Sequence, residues 1–396
     1  MNFPHFDNVG FGVEEGVILL GQSGSHAYGT NTPTSDLDYK GILVPPIRFY
    51  TSPFRSVEQV GWKLKDGKFH LGAHLSNISG AEEEGTIYAL TKFMKLAAAC
   101  NPNVVELLFT DPAQIVKTTP AGLYLVENRR KFLSQRAGKT FTGYAMSQLK
   151  RIETHRRWLM NPPTHAPTRK EFGLPEVEQI NPDQLNAVRA FVRRNMHTMA
   201  PWLLEADNQH KEAFWEGVCN LMALYMEDPE AEYDENQDNW MLIEEEYAEK
   251  VSSKMSFDTN FMEYLKLEKK FSQAKSDWEK YQNWLVTRNP ARADLEARYG
   301  YDCKHAMHLV RLLRMGNEVL TEGELRVFRP DRDELNRIRN GIWEFDYLLG
   351  WANEQVDAIY ELLRSGKCIL PKEPNQEALE KLNEEVIYLH NGKVMW

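Results

Sequence analysis

The sequence has few cysteines and no long apolar run, and each shortage removes a class of protein. Its four cysteines, Cys100, Cys219, Cys303 and Cys368, lie far apart, and none forms a C-x-x-C pair. That excludes a zinc site built mainly on thiolates and a disulfide framework as the organising device, and reduced thiols are expected. No stretch approaches the ~18 consecutive apolar residues of a membrane span, so no membrane partner is expected. Met1 to Gly12 lacks a basic segment followed by an apolar one, so the expected location is cytoplasmic. Positive charge is scarce too. The 47 Lys and Arg face 57 Asp and Glu, a formal charge of −10, which argues against coating nucleic acid by overall charge but allows a local basic face.

What is present is enough apolar material for a core. Of 396 residues, 42% are hydrophobic and 26% charged, and this length predicts two or three domains. Val17-Ile18-Leu19-Leu20, bounded by glycines, reads as a buried strand. Gly41 to Pro46 reads as a second strand, stopped by proline. Val60 to Leu75 reads as a hairpin about Asp66-Gly67, with Leu64 facing Phe69 and Trp62 facing Leu71. From Thr86 the period becomes helical: Ile87, Leu90, Phe93, Met94 and Ala97 share a face, and Asn101-Pro102 ends the helix. Further helices are expected over 121–135, 140–160, 182–198, 208–226, 240–252, 258–287, 296–315, 331–364 and 374–389. The expected fold class is α+β. A small mixed sheet with flanking helices occupies 1–115 and a larger all-α domain 116–396, with the boundary between Asp111 and Pro120. The tryptophans Trp202, Trp215, Trp278, Trp284, Trp343 and Trp351 read as core of the long helices.

Charge is unevenly spread. Arg129 to Arg157 holds nine basic residues against one acid, whereas Glu227 to Glu249 holds eleven acids and no Lys or Arg. The acidic stretch reads as a solvated face. The basic one is a candidate for polyanion binding.

The segment with chemistry is Gly21 to Gly41, GQSGSHAYGTNTPTSDLDYKG. Gly21, Ser23, Gly24 and Ser25 let a backbone come close to a ligand, and N–H groups at such a turn can cradle phosphate oxygens. Asp36 and Asp38 flank Leu37. Residues two apart on a strand point to one face, so both carboxylates can converge on one divalent cation. A haloacid-dehalogenase-type phosphatase would need a different loop after its first aspartate. A D-x-D glycosyltransferase would need a nucleotide-binding domain ahead of the motif.

Gly24-Ser25, ten intervening residues and Asp36-Leu37-Asp38-Tyr39 resemble the signature of the DNA polymerase beta nucleotidyltransferase superfamily. The longer string GSHAYGTNTPTSDLDYKG, with KFMKLAAACNPNVVELLF (92–109), RRWLMNPP (156–163) and GYDCKHAMHLVRLLRMG (300–316), is similar to a family of predicted nucleotidyltransferases of bacteria and phages. The resemblance implies that Gly24 and Ser25 contact a triphosphate and that Asp36 and Asp38 hold Mg2+ or Mn2+. It also implies transfer of a nucleoside monophosphate from an NTP, ATP first, to an acceptor hydroxyl. A third carboxylate on a neighbouring strand is expected. Glu84 is the first choice and Glu82, of the same parity, the second. Acids before a helix N-terminus would also favour its dipole.

Asp302 to Met315 reads as a helix with Ala306, Leu309, Val310 and Leu313 on its apolar face. Lys304, His308 and Arg311 lie opposite, flanked by His305 and Arg314. This stripe is expected either to meet a polyphosphate or to be a solvated face. His305 and His308 as metal ligands lack a third partner in the sequence. The expected acceptor is an RNA 3′ end, with a protein hydroxyl second. The alternative is an inactive nucleotide-binding interaction protein.

Overall fold

Val17-Ile18-Leu19-Leu20 begin a central strand of a six-stranded mixed sheet, and all four are buried. The computed structural model describes residues 4, 9–71, 75, 78, 80–176, 259–288 and 290–392. The expected helices 182–198, 208–226 and 240–252, the acidic stretch 227–249, Trp202, Trp215 and Cys219 lie outside them. The strands are β1 (Val17–Ser23), β2 (Leu37–Leu43), β3 (Gln59–Lys65), β4 (Lys68–Leu71), β5 (Glu83–Ala89) and β6 (Ile115–Thr118). Their order across the sheet is β4-β3-β5-β2-β1-β6. β2 and β5 are parallel, and the other neighbours are antiparallel. The β3–β4 hairpin turns at Asp66-Gly67 and pairs Leu64 with Phe69 and Trp62 with Leu71, the register expected from the sequence.

Apolar side chains cover both sheet faces. Val17, Leu20, Leu43, Trp62 and Ile87 form the smaller core. Ile18, Ile42 and Leu90 join a larger core that continues through the helices Arg136–Met160, Cys303–Glu322 and Phe345–Arg364. The chain divides into two compact units, Met1–Leu159 with Ala291–Trp396, and Met160–Pro290. The sheet and the last helices therefore share one unit, and β6 straddles the boundary expected near 115. In the other unit, the short turn Arg169–Phe172 meets the helix Thr259–Thr287 through Phe172 and Phe271, whose ring centroids are 5.7 Å apart.

Several local expectations need correction. The expected helix 121–135 ends at Glu127, and 296–315 falls on two helices, Pro290–Tyr299 and Cys303–Glu322. Residues 86–89 are strand, and the helix starts at Leu90. The expected helix 331–364 is two, Arg332–Arg339 and Phe345–Arg364, interrupted at Gly341, whose φ of 84° a helix does not tolerate. Trp278, Trp284, Trp343 and Trp351 are half-buried rather than core. Among the described residues, no helix is long and apolar enough to cross a membrane.

Candidate active site

Where β1 ends, Ser23 leads into a short helix, Gly24–Tyr28. Gly24 has a φ of 61°, in the left-handed region that favours glycine. A Cβ there would overlap the Asp38 carboxylate, so only glycine lets this turn lie against it. The registers extend the contact into a row: Ser23 on β1 opposes Asp38 on β2, and Asp38 opposes Glu84 on β5. Glu84 is thus a strand residue beside Asp38, not an acid preceding a helix. Glu82 precedes β5, and its N–H donates to Leu64 O at 2.8 Å. Asp36 is exposed, one residue ahead of β2.

The row is short of positive charge. Burial, followed by the charges of Asp36 and Glu84, pushes the Asp38 carboxyl up to about 7, against the pull of Lys40 and Lys304. Glu84 pairs with Lys63 at 3.0 Å on its other side.

Gly24, Asp38 and Glu84 open into a cavity of about 1270 Å³ that Lys304, His308 and Arg311 also line. The helix Cys303–Glu322 therefore faces the acids. Ser25 and Asp36 flank the row but do not contribute to the lining. Of the two readings of this stripe, the solvated face does not hold for Arg311. Arg311 is only 4% exposed. It donates to Glu106 Oε1 at 2.7 Å, while the Tyr28 hydroxyl donates to Glu106 Oε2 at 2.6 Å. Its guanidinium lies 3.7 Å from the Tyr28 ring centroid. Burial, then Arg311 and Lys304, drives the His308 imidazole well below its usual range, so it is neutral at pH 7. Arg314 is bound to Asp331 and Glu334.

The basic stretch 129–157 is engaged within the fold only in part, and seven of its nine basic residues, all but Arg129 and Arg156, are exposed. Arg130 pairs with Glu324 and Arg136 with Glu373. Arg129 lies over Phe109, and Arg156 over Phe345. Arg151 lines the cavity, as do Tyr144 and Gln148 of the same helix. Sequence reasoning missed these and Lys40, which also lines it. Lys40 is two residues beyond Asp38 on a strand, and that spacing was the available signal.

The resemblance implies a third carboxylate on a strand neighbouring the aspartates, and Glu84 occupies such a place, on the strand parallel to β2. Residues 7–166, less than half of the chain, match the model of the RlaP family, the RNA repair pathway DNA polymerase beta family. An uncharacterized 38.9 kDa protein of the nrdC-mobD intergenic region of Enterobacteria phage T4 is 31% identical over 137 residues, which are 33% of this chain and 37% of that one. The match thus spans little more than a third of that curated relative. No solved structure matches the chain.

Proposed function

We propose that the cavity binds a nucleoside triphosphate, ATP first, and that the protein transfers its nucleoside monophosphate to an RNA 3′ hydroxyl. The bond formed joins the acceptor oxygen to the α-phosphorus. The bond broken releases pyrophosphate, and the hydroxyl proton is lost to solvent. The observation that carries this reading is the row Ser23–Asp38–Glu84, closed against Gly24 and facing Lys304 across one cavity. The RNA acceptor is supported by the description of the family that residues 7–166 match.

The donor set fits a hard divalent cation. It is carboxylate oxygens only, and Mg2+ or Mn2+ favours such ligands; burial, then the charges of Asp36 and Glu84, raises the Asp38 carboxyl to about 7. Asp36, Asp38 and Glu84 would hold it. Such a cation supplies charge neutralisation at the phosphates and makes the acceptor hydroxyl more acidic. Gly24 leaves the backbone open to phosphate oxygens, and Ser25, which flanks the lining, would add a hydroxyl contact only to a phosphate that reaches past it. Lys40 and Lys304 bring positive charge to the polyphosphate. Neutral His308 offers a hydrogen bond instead of a charge.

The ion pair of Glu84 with Lys63 favours a second reading, a protein that binds the nucleotide without transferring it. Incubation with each α-phosphate-labelled NTP, Mg2+ or Mn2+, and total RNA or cell protein separates the two. Labelled RNA with pyrophosphate release is the expected result. Labelled protein would replace the acceptor. NTP binding with no label and no pyrophosphate would leave the second reading.

A further inference from the structure

Three metal-ligating side chains meet away from the acid row. His155 of the Arg136–Met160 helix, with Asp302 and His305 at the start of Cys303–Glu322, brings together ligand atoms that all lie within 4.8 Å of one another. Asp302 is 3% exposed. Its Oδ1 accepts the N–H groups of Lys304 at 2.9 Å and His305 at 3.0 Å, which caps the helix and fixes the carboxylate. Oδ2 points the other way and lies 2.6 Å from His305 Nδ1. The His155 ring stacks on Trp158 at 5.5 Å and meets the His305 ring edge-on at 5.8 Å. Beside it, Arg156 donates to Gly300 O at 3.1 Å and lies 4.5 Å from the Phe345 ring centroid. Arg156 thus ties the Arg136–Met160 helix to the residues just ahead of Cys303–Glu322, where the three side chains converge.

We propose that His155, Asp302 and His305 form a transition-metal site of the zinc class, distinct from the oxygen-only site at Asp36, Asp38 and Glu84. Capping needs only Oδ1 of Asp302 and does not account for two imidazoles gathered on its other side. Two histidines and a carboxylate are a set that zinc accepts with three protein ligands and an open fourth position. Magnesium does not favour imidazole, so the two sites differ in the ion each takes. Metal–ligand distances in such sites are about 2.0–2.2 Å, and the three ligand atoms already lie within 4.8 Å of one another. The backbone bonds to Oδ1 supply the outer support that orients a ligating carboxylate. Of the three, His305 also lines the large cavity, and an open fourth position would take water or a phosphate oxygen. Bound metal would join two helices that form walls of that cavity. The inference does not depend on the transfer reading.

The test is zinc titration of the full chain, stripped with chelator and then saturated with Mg2+, followed by Co2+ substitution and its visible spectrum. One equivalent of zinc and tetrahedral Co2+ bands are expected. Asp38→Asn should keep both. His155→Ala and His305→Ala should each weaken zinc by more than the roughly ten- to hundredfold of an outer-shell change, with melting of the apo protein as a check on folding. If either variant does not fold, the Co2+ spectrum of the unaltered chain decides, since imidazole ligation shifts it from the all-oxygen form. No zinc bound in the presence of Mg2+, or zinc lost in Asp38→Asn and kept in His155→Ala, would overturn the proposal and leave a hydrogen-bonded trio.

Discussion

Glu106 and Asp38 are acids of the same compact unit, compensated in opposite ways. Glu106 is 5% exposed and receives both the Tyr28 hydroxyl and the Arg311 guanidinium. The chain supplies its counter-charge in full, and the cluster ties the residues after Gly24 to the Cys303–Glu322 helix. Asp38 has Asp36 and Glu84 for neighbours, and its carboxyl is pushed up to about 7 by burial and then by their charges. Where the chain completes its own charge balance, the cluster serves the fold. Where it leaves the balance open, it is suited to a cation and a polyphosphate from outside.

The largest expected effect is on the completed cluster. Arg311→Ala should cost about 3–5 kcal/mol in urea denaturation, because it strands the Glu106 charge in the core. A loss under about 1 kcal/mol would place Arg311 with the ligand-binding groups and erase the contrast. The open cluster should behave the other way. Asp36→Asn and Asp38→Asn should each lower transfer by on the order of a hundredfold or more with the fold retained, measured as labelled product per enzyme. Gly24→Ala comes next. Its Cβ meets Asp38 at a strained φ, so it should cost about 1–3 kcal/mol of stability and lower NTP affinity, read by titration with a non-hydrolysable analogue.

A smaller effect carries a sign that only the open cluster has. The Asp38 pKa is raised from 3.8 to about 7, so the folded state holds its proton more tightly than the unfolded chain. Its favourable contribution is complete below 3.8 and is lost as pH rises through about 7. Metal-free Asp38→Asn should therefore be more stable than the unaltered protein at pH 8, by on the order of 1–2 kcal/mol after solvent screening. The gain should vanish at pH 4, and thermal melts at the two pH values check it. Lys63→Gln should move stability by less than about 1 kcal/mol, because the pair with Glu84 is partly exposed.

Local features were legible in the sequence. The hairpin register follows from Asp66-Gly67 and the alternation about it, and the Gly24-to-Asp38 motif lies on a strand–turn–strand that its flanks announce. Residues 86–89 were misread because two periods overlap. Gly85, Ile87 and Ala89 are buried alternately, as a strand requires, yet Ile87, Leu90, Met94 and Ala97 also fit a helix face. The choice between Glu84 and Glu82 needed the pairing of Asp38 with Glu84 across parallel strands, which no spacing within either strand encodes. A helical wheel places Arg311 opposite the apolar stripe and is silent about Glu106, which lies 205 residues away in the chain. A separation of 147 residues (302 − 155) likewise hides His155 from Asp302, and one of 150 (305 − 155) hides it from His305.

The most direct test of the open cluster as a transfer site is the rate of α-phosphate label transfer from ATP to RNA, with Mg2+, for the unaltered protein, Asp38→Asn and Glu106→Gln, assayed below the melting temperature of each. The account predicts transfer by the unaltered protein, transfer reduced on the order of a hundredfold in Asp38→Asn, and transfer largely kept in whatever fraction of Glu106→Gln remains folded. Equal transfer by Asp38→Asn and the unaltered protein would contradict it.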